Sequence, residues 1–483
     1  LLKRLGGLSK TMIDKTRSML AADNASVEPL EPVIIPAGEH GVTAKVLSSN
    51  AHKVLKRLND GGFDAYLVGG GVRDALVGLK PKDFDVATNA SPEEVRGLFR
   101  NSRIIGRRFR LVHVVFGRDI IEVATFRASH DKGDGGEIGE SGRIVRDNVF
   151  GTIAEDAIRR DFSVNALYYS IADGAVVDYV GGLNDIDDGI FRLIGDPVTR
   201  CEEDPVRVLR AVRLSAKLEF DIEAATLDAM RATASELSKT PPARLFEEVL
   251  KLFQGGYALR SFQAVRDHDL LQYLFPLLAK RFAQNPDGRG TDALEQTLSE
   301  ALANTDKRVS QNKPITPAYL LAFMLWPDVD ERTKRYANDG MSVVDSFKKA
   351  SDEVMAEQIK VISIPKRFSG PMREIWHMQP RLEQWKGGRA LKLIESRRFR
   401  AAYDFLCLRS STDEHLRDLV QWWTKVQELD EESRAEYVRN KPVVYGIWSK
   451  QSGPPRHKRR ARRGPPRRRR SKKPSAGDNN SSD

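Results

Sequence analysis

The chain has 483 residues, a formal net charge of +11 and an apolar share of 40%, which suits about two to four domains with ordinary cores. Its longest apolar runs fall well short of the ~20 residues a membrane helix needs, which sets a spanning protein aside. With only Cys201 and Cys407, far apart in sequence, a reduced cytoplasmic protein is expected over a disulfide-stapled secreted one.

Residues 1–41 read as a flexible leader. The opening stretch, LLKRLGGLSKTMIDKTRSML, is basic and weakly amphipathic, without the apolar run and small-residue cleavage site of a signal peptide. It begins at Leu1 rather than Met, so the natural start is expected upstream. AKVLSSNAHKVLKRLNDGG (44–62) places Val46, Val54, Leu55 and Leu58 at helical spacing, and Gly61 and Gly62 close the helix. FDAYLVGG is a short apolar strand ending at glycines, VRDALVG a short helix and KDFDVAT a strand. In SPEEVRGLFR, Ser91 is the N-cap, Pro92 stands at N1 and Glu94 at N3, so a helix starts there. RLVHVVFG and DIIEVATFRA alternate as strands do. ASHDKGDGGEIGESGR (128–143) has many glycines and few large apolar residues, and reads as a mobile loop.

From about Glu155 helices dominate, apart from a hairpin in ALYYSIADGAVVDYVGG, where Asp173-Gly174 suits a tight turn. No repeat with a period of roughly 20–50 residues is present. The end of the chain carries the charge: Gln451–Asp483 holds 12 Lys plus Arg and 2 Asp, a net of +10, leaving +1 for the other 450 residues. This tail is low in complexity and expected to be disordered. The whole is an α+β head with a small mixed sheet, a helical remainder and a basic end.

Asp83 and Asp85 are the first candidates for chemistry. In a strand, residues i and i+2 point the same way, so the two carboxylates project together while Phe84 faces the core. At about 4–5 Å they repel by roughly 3–4 kcal/mol at an effective dielectric near 20; a divalent cation reverses that sign. Mg²⁺ favours carboxylates supplemented by substrate phosphates, and two such ions can activate a hydroxyl and stabilise a leaving pyrophosphate. D-x-D alone is commonly a pair of solvated surface acids. Here Gly69, Gly70 and Gly71 end a strand and precede a helix, where backbone N–H groups can approach phosphates. The turn is neither a dinucleotide fingerprint, since Asp74 stands where Gly is needed, nor a P-loop, since Lys80 is followed by Pro81. Asp161 in RRDFSVNAL and Glu122 in DIIEVATF are rival third acids, each equally explained by an ordinary ion pair. No H-E-x-x-H pattern supports a zinc hydrolase.

EEDPVRVLRAVRLSAKL (202–218) starts a helix with acids and Pro205. Arg207, Arg210, Arg213 and Lys217 then occupy one sector of about 120°. Asp204, three residues before Arg207, is its neighbour on the surface; together they present an acceptor and a donor, as a base edge does. A solvated basic face with a capping acid is the plainer reading.

LVGGGVRD…KDFDVAT, RRDFSVNAL and EDPVRVLRAVRL, in this order, resemble the class II nucleotidyltransferases, the tRNA CCA-adding enzymes and bacterial poly(A) polymerases. LFRNSRIIGRRFRLVHVVFG, PPARLFEEVLKLFQGGY, FRAAYDFLCLRS, IPKRF and the Arg-rich end resemble the poly(A) polymerase branch. The similarity runs from about Ala44 to Trp423. It implies a catalytic head (42–175), a base- and RNA-binding neck (176–258), an RNA-binding helical body (259–440) and a tail (441–483). It implies that Asp83 and Asp85 bind two Mg²⁺ ions, with Mn²⁺ the alternative, and that Asp161 is catalytic with them. Gly70 and Arg73 would contact the triphosphate, Asp204 and Arg207 would read the incoming base, and Arg210 would lie near the phosphates. The implied activity is template-independent addition of AMP from ATP to RNA 3′ ends, promoting RNA decay. CCA addition to tRNA and a non-catalytic RNA-binding adaptor are the alternatives. The implied partners are ATP, RNA 3′ ends and other RNA-decay or RNA-chaperone proteins, with the chain a cytoplasmic monomer. Arg459, Arg460, Arg462, Arg463 and Arg467, Arg468, Arg469, Arg470 in the tail would hold RNA non-specifically through phosphate neutralisation. Trp422, Trp423 and Trp448 could stack on bases, although helix packing explains the first two as easily.

Overall fold

The computed structural model describes residues 31–106, 110–128, 136–138, 144–147, 149–284, 292–383 and 389–440. The tail arginines, Trp448 and most of the leader lie outside the described residues.

The head is built on strands β1 (Val33–Ile35), β2 (Ala65–Val68), β3 (Asp85–Thr88), β4 (Ser102–Ile105), β5 (Leu111–Phe116), β6 (Asp119–Thr125), β9 (Leu167–Ser170) and β10 (Val176–Asp178). Strands β7 (Gly136–Ile138) and β8 (Ile144–Asp147) form a separate antiparallel pair. The large sheet runs β1-β10-β9-β2-β3-β6-β5-β4. Its β3–β6 pair is parallel and the other neighbours are antiparallel. Side chains alternate between its faces, as a period of two requires. Leu67 and Val86 join the main core with Val54, Leu55 and Leu58 of the Ser49–Asp60 helix. Val68 and Ala87 pack on the other face with Phe126, Tyr168 and Ala157 of the Ile153–Arg159 helix.

Two segments differ from the sequence reading. Val33–Ile35, inside the expected leader, is the edge strand of the sheet and pairs with β10. Where a loop without regular structure is expected, β7 pairs with β8; the rest of 129–143 lies outside the described residues. The helix at 92 starts as expected: Ser91 and Glu94 form a reciprocal capping box with Pro92 in the first turn.

Among the described residues beyond the hairpin the regular structure is helical except for the two-residue parallel pair β11 (Ile190–Phe191) and β12 (Asp221–Ile222). One apolar core runs from the head through Leu209 and Val212 of the Val206–Leu218 helix into Leu321 and Trp376. A second gathers Leu382, Phe399, Trp422 and Trp423. Trp423 is fully buried and donates its indole N–H to the Leu382 carbonyl at 3.0 Å, so packing, not base stacking, accounts for it. Cys201 and Cys407 are both free thiols. Among the described residues no helix is long and apolar enough to cross a membrane.

Candidate nucleotidyl-transfer site

The glycine turn and the aspartates meet at one end of the sheet. Gly69 follows β2 with φ +74°, a left-handed value that glycine adopts without strain. It caps the Gly70–Leu76 helix. A methyl group on Gly71 would come within 3.2 Å of the Asp83 carbonyl oxygen, so the small residue lets the aspartate segment lie against the turn. Asp83 is exposed and precedes β3; Asp85 opens that strand, and Phe84 between them packs against the core.

Asp85 pairs with Val68 on one side and with Glu122 of β6 on the other. Burial, the facing Glu122 and then Asp83 push the Asp85 carboxyl up to about 6, against the opposing pull of Arg160. Glu122 also meets His113 Nε2 at 3.1 Å. The acid that shares the sheet end with Asp85 is therefore Glu122. Arg160 donates to Asp156 at 2.7 Å and to the Tyr168 hydroxyl at 3.0 Å, which fixes its guanidinium beside the turn.

Asp161 has a different setting. Its Oδ1 accepts from the Phe162 amide at 2.9 Å and from Asn165 at 3.2 Å, and its Oδ2 lies 2.5 Å from Arg210. Burial would raise its carboxyl, but Arg210, Asn165 and Arg207 outweigh burial and hold it below the usual range. Arg73 is 3% exposed and is held by Asp74, at 2.6 Å from Nη2, and by Asn165. Asp74 in turn binds Lys217 at 2.5 Å. Arg210 and Lys217 stand two turns apart on one helix, so a ring of polar contacts (Arg210, Asp161, Asn165, Arg73, Asp74, Lys217) joins the neck to the turn. Arg73 thus backs the glycines from below, and direct contact with a phosphate would require its release.

The sequence reading treats 202–218 as one helix. The structure breaks it: the Pro197–Glu203 helix ends, Asp204 adopts φ −146° and ψ 89°, and the next helix begins at Val206 behind Pro205. The Arg207 amide donates to the Asp204 carbonyl at 2.9 Å, but the two side chains take different partners. Arg207 binds Glu203 at 2.9 Å, whereas Asp204 Oδ2 accepts from Arg244 at 2.6 Å. Arg200 donates to the carbonyls of Arg159 and Arg160, both at 2.7 Å, tying the RRD segment to the neck. Sequence reasoning misses Arg200, Glu203, Asn165 and Arg244. The i, i+3 spacing of Arg200 and Glu203 is a local signal; Arg244 offers none, lying 40 residues from its partner.

Six buried polar atoms here find no hydrogen-bond partner among the described residues: Asp161 Oδ2, Asp204 Oδ1, Glu248 Oε2 and the Nε of Arg200, Arg210 and Arg213, although Asp161 faces Arg210 at 2.5 Å and Glu248 faces Arg213 at 3.9 Å as ion pairs. Buried polar groups are ordinarily satisfied, so this cleft is chemically suited to a polar guest. The acids at the sheet end form an all-oxygen set, which suits a hard divalent cation. Among the described residues no three His, Cys, Asp or Glu side chains are grouped to hold a metal unaided.

Three family models match the chain: "Poly A polymerase head domain" over 65–192, "Probable RNA and SrmB- binding site of polymerase A" over 219–282 and "Polymerase A arginine-rich C-terminus" over 339–472. Poly(A) polymerase I of Salmonella typhimurium is 45% identical over 446 residues, covering 88% of this chain and 95% of that protein. The Escherichia coli O157:H7 enzyme of the same name is 46% identical over 419 residues, covering 85% and 89%. A CCA-adding enzyme of Staphylococcus aureus is 34% identical over only 48% of this chain and 56% of its own. Among solved structures, a tRNA-processing enzyme in its apo form I shares the fold at TM-score 0.54 and 20% identity, covering 81% of this chain and 99% of that one.

Proposed function

We propose, for a chain that belongs to the poly(A) polymerase I family and is a polynucleotide adenylyltransferase, that transfer takes place where β2, β3 and β6 end beside the Gly69 turn. The 3′ oxygen of an RNA attacks the α-phosphorus of ATP. A phosphodiester forms, the bond between the α-phosphorus and the bridging oxygen breaks, the hydroxyl proton is lost and pyrophosphate leaves. The carrying observation is the convergence of Asp85, in register with Glu122 of β6, with Asp83 beside the Gly69 turn, where desolvation first and then the facing acids raise the Asp85 carboxyl to about 6.

Asp83 and Asp85 would hold the metal, with Glu122 rather than Asp161 as the neighbouring acid. Two Mg²⁺ ions, or Mn²⁺, would supply Lewis-acid activation of the hydroxyl and neutralise developing charge. Gly70 lies where a triphosphate can approach the backbone. Arg210 faces the same cleft from the neck. Asp204 and Arg207 present acceptor and donor to the adenine edge, each oriented by its own partner, Arg244 and Glu203. With no template the protein must choose the base. A site with fixed polar groups rejects misfits because they leave those groups unpaired. The tail arginines add salt-sensitive RNA affinity.

A generic RNA primer extended one nucleotide at a time tests this. ATP should give a long homopolymer. A stop after three nucleotides would assign CCA addition, and RNA binding without extension would leave only an adaptor. A tRNA lacking its CCA end, offered CTP alone, should remain unextended.

A further inference from the structure

Strand β5, with the sequence LVHVVF, runs beside β6 at the edge of the reacting wall. Its His113 stands in register with Glu122 on one side of β6, as Asp85 does on the other. We propose that His113 is a positioning residue of the transfer site: by engaging one oxygen of Glu122 it leaves a single oxygen toward Asp85, and thereby favours a small octahedral cation, Mg²⁺, over a large one such as Ca²⁺. The proposal rests on the adenylyltransferase reading above, which puts the cation at this sheet end.

The three side chains share a face. Val112, Val114, Ile121 and Val123 belong to the main core. His113 and Glu122 alternate with them and so project from the opposite side of the sheet. Asp85, two residues before Ala87, projects with that residue from the same side. The row His113, Glu122, Asp85 thus crosses three adjacent strands, each about 4.8 Å from the next.

His113 Nε2 lies 3.1 Å from Glu122 Oε1. A carboxylate only accepts, so Nε2 carries the hydrogen and donates it. Nδ1 is buried and has no hydrogen-bond partner among the described residues, which leaves Glu122 as the one group the imidazole holds. The His113 side chain is 14% exposed, whereas that of Glu122 is 50% exposed. A long, half-exposed acid loses rotamer freedom when it is held, and here a shielded donor does the holding.

β5 and β3 flank β6 on opposite sides, so the imidazole draws Oε1 away from Asp85. Asp85 still senses the acid: after burial, the facing Glu122 is the largest influence that raises its carboxyl. A cation shared by the two would meet one glutamate oxygen. Mg²⁺ demands near-octahedral geometry and completes it with substrate phosphates and water, whereas Ca²⁺ accepts about six to eight oxygens and takes both from one carboxylate. Two carboxylates offering single oxygens suit the first ion. They also agree with the absence, among the described residues, of three ligands grouped to hold a metal unaided.

The test compares the full chain with His113→Phe, which keeps a ring and loses the donor, and with His113→Gln, whose amide nitrogen can donate instead. His113→Asn, too short to reach Glu122, should behave as the Phe variant does and covers the case in which that variant does not fold. Mn²⁺ is bound to the nucleotide-free protein, followed by the electron paramagnetic resonance signal of the free ion, and displaced with Mg²⁺ and separately with Ca²⁺. The Phe variant should shift the ratio of Ca²⁺ to Mg²⁺ affinity about tenfold toward Ca²⁺, the size of effect expected when a ligand loses its hydrogen-bond partner. The Gln variant should restore most of the wild-type ratio. In RNA extension with Mg²⁺, the Phe variant should lose kcat about tenfold with little change in the KM for ATP. A ratio unchanged in the Phe and Asn variants would overturn the proposal. So would a Gln variant shifted as far as the Phe variant, because ring packing and not the donor would then be responsible. A raised KM for ATP at an unchanged ratio would make His113 a substrate contact and defeat the proposal too. Mn²⁺ binding that survives Asp85→Asn would take the cation away from this sheet end, and the role of His113 with it. If wild-type protein fails to extend RNA with AMP, the adenylyltransferase reading fails; if it extends RNA and only the ion comparison is flat, the role of His113 alone fails.

Discussion

The two walls of the cleft treat carboxylates in opposite ways. At the sheet end, desolvation and then the facing Glu122 and Asp83 raise the proton affinity of Asp85. Along the seam between head and neck, Asp161, Asp74 and Asp204 each have a cation at 2.5 or 2.6 Å, in Arg210, Lys217 and Arg244. Paired acids hold two parts of a protein together; acids left facing one another are available to a cation from outside. The contrast separates residues that position from residues that react, although all of them are aspartates in similar motifs.

The sharpest way to break this contrast is Asp85→Asn. It should lower AMP incorporation by about 10³-fold, equivalent to roughly 4 kcal/mol of barrier. The unfolding temperature should hold or rise, since a repulsion is removed. Turnover within tenfold of wild type would end the assignment of the sheet end as the reacting site. Asp83→Asn should behave alike.

Asp74→Ala probes the other wall. It leaves Arg73, almost wholly buried, and Lys217 without their carboxylate. Stranding a buried charge costs about 3 kcal/mol or more, so denaturant titration should show a large loss of stability. A loss under about 0.5 kcal/mol, the range of an ordinary surface substitution, would show that the ring does not hold head to neck.

How much of this was legible beforehand depends on sequence distance. The Ser91–Glu94 box and the Asp83-Phe84-Asp85 alternation are local, and periodicity or spacing alone exposes them. The close approach of Gly71 to Asp83 spans 12 residues and was signalled by the glycine run. The seam was not legible: Lys217 reaches Asp74 across 143 residues and Arg73 reaches Asn165 across 92. Edge strand β1 was missed for the same reason, as three residues after a proline-rich stretch carry little pattern and their partner, β10, is distant. The helix over 202–218 was misjudged at Asp204, because the acidic run and Pro205 that favour a start equally permit a break behind them.

Base choice should respond more modestly. Arg207→Ala removes a donor from the cleft, and a lost hydrogen bond of about 1.4 kcal/mol corresponds to a tenfold fall in preference for ATP over CTP. Arg244→Ala should act in the same direction, by freeing Asp204 to turn. Competition between the two nucleotides on one primer measures both; an unchanged ratio in each variant would take the base-reading role away from this corner.

The smallest effect is the one that decides what Asp161 does. Asp161→Asn keeps the shape and can still accept from the Phe162 amide, but it removes the charge facing Arg210. That arginine is more than a third exposed, so solvent screens the pair and stability should fall by only about 1 kcal/mol. If Asp161 works by holding the neck helix against the turn, the KM for ATP should rise several-fold while kcat changes little, and Arg210→Lys, which retains a cation, should suffer less than Arg210→Ala. If Asp161 is instead the third acid of the reacting set, kcat should collapse about as far as in Asp85→Asn, with KM nearly constant. Glu122→Gln measured beside it supplies the converse reading, because the geometry places that carboxylate, in register with Asp85, on the reacting wall.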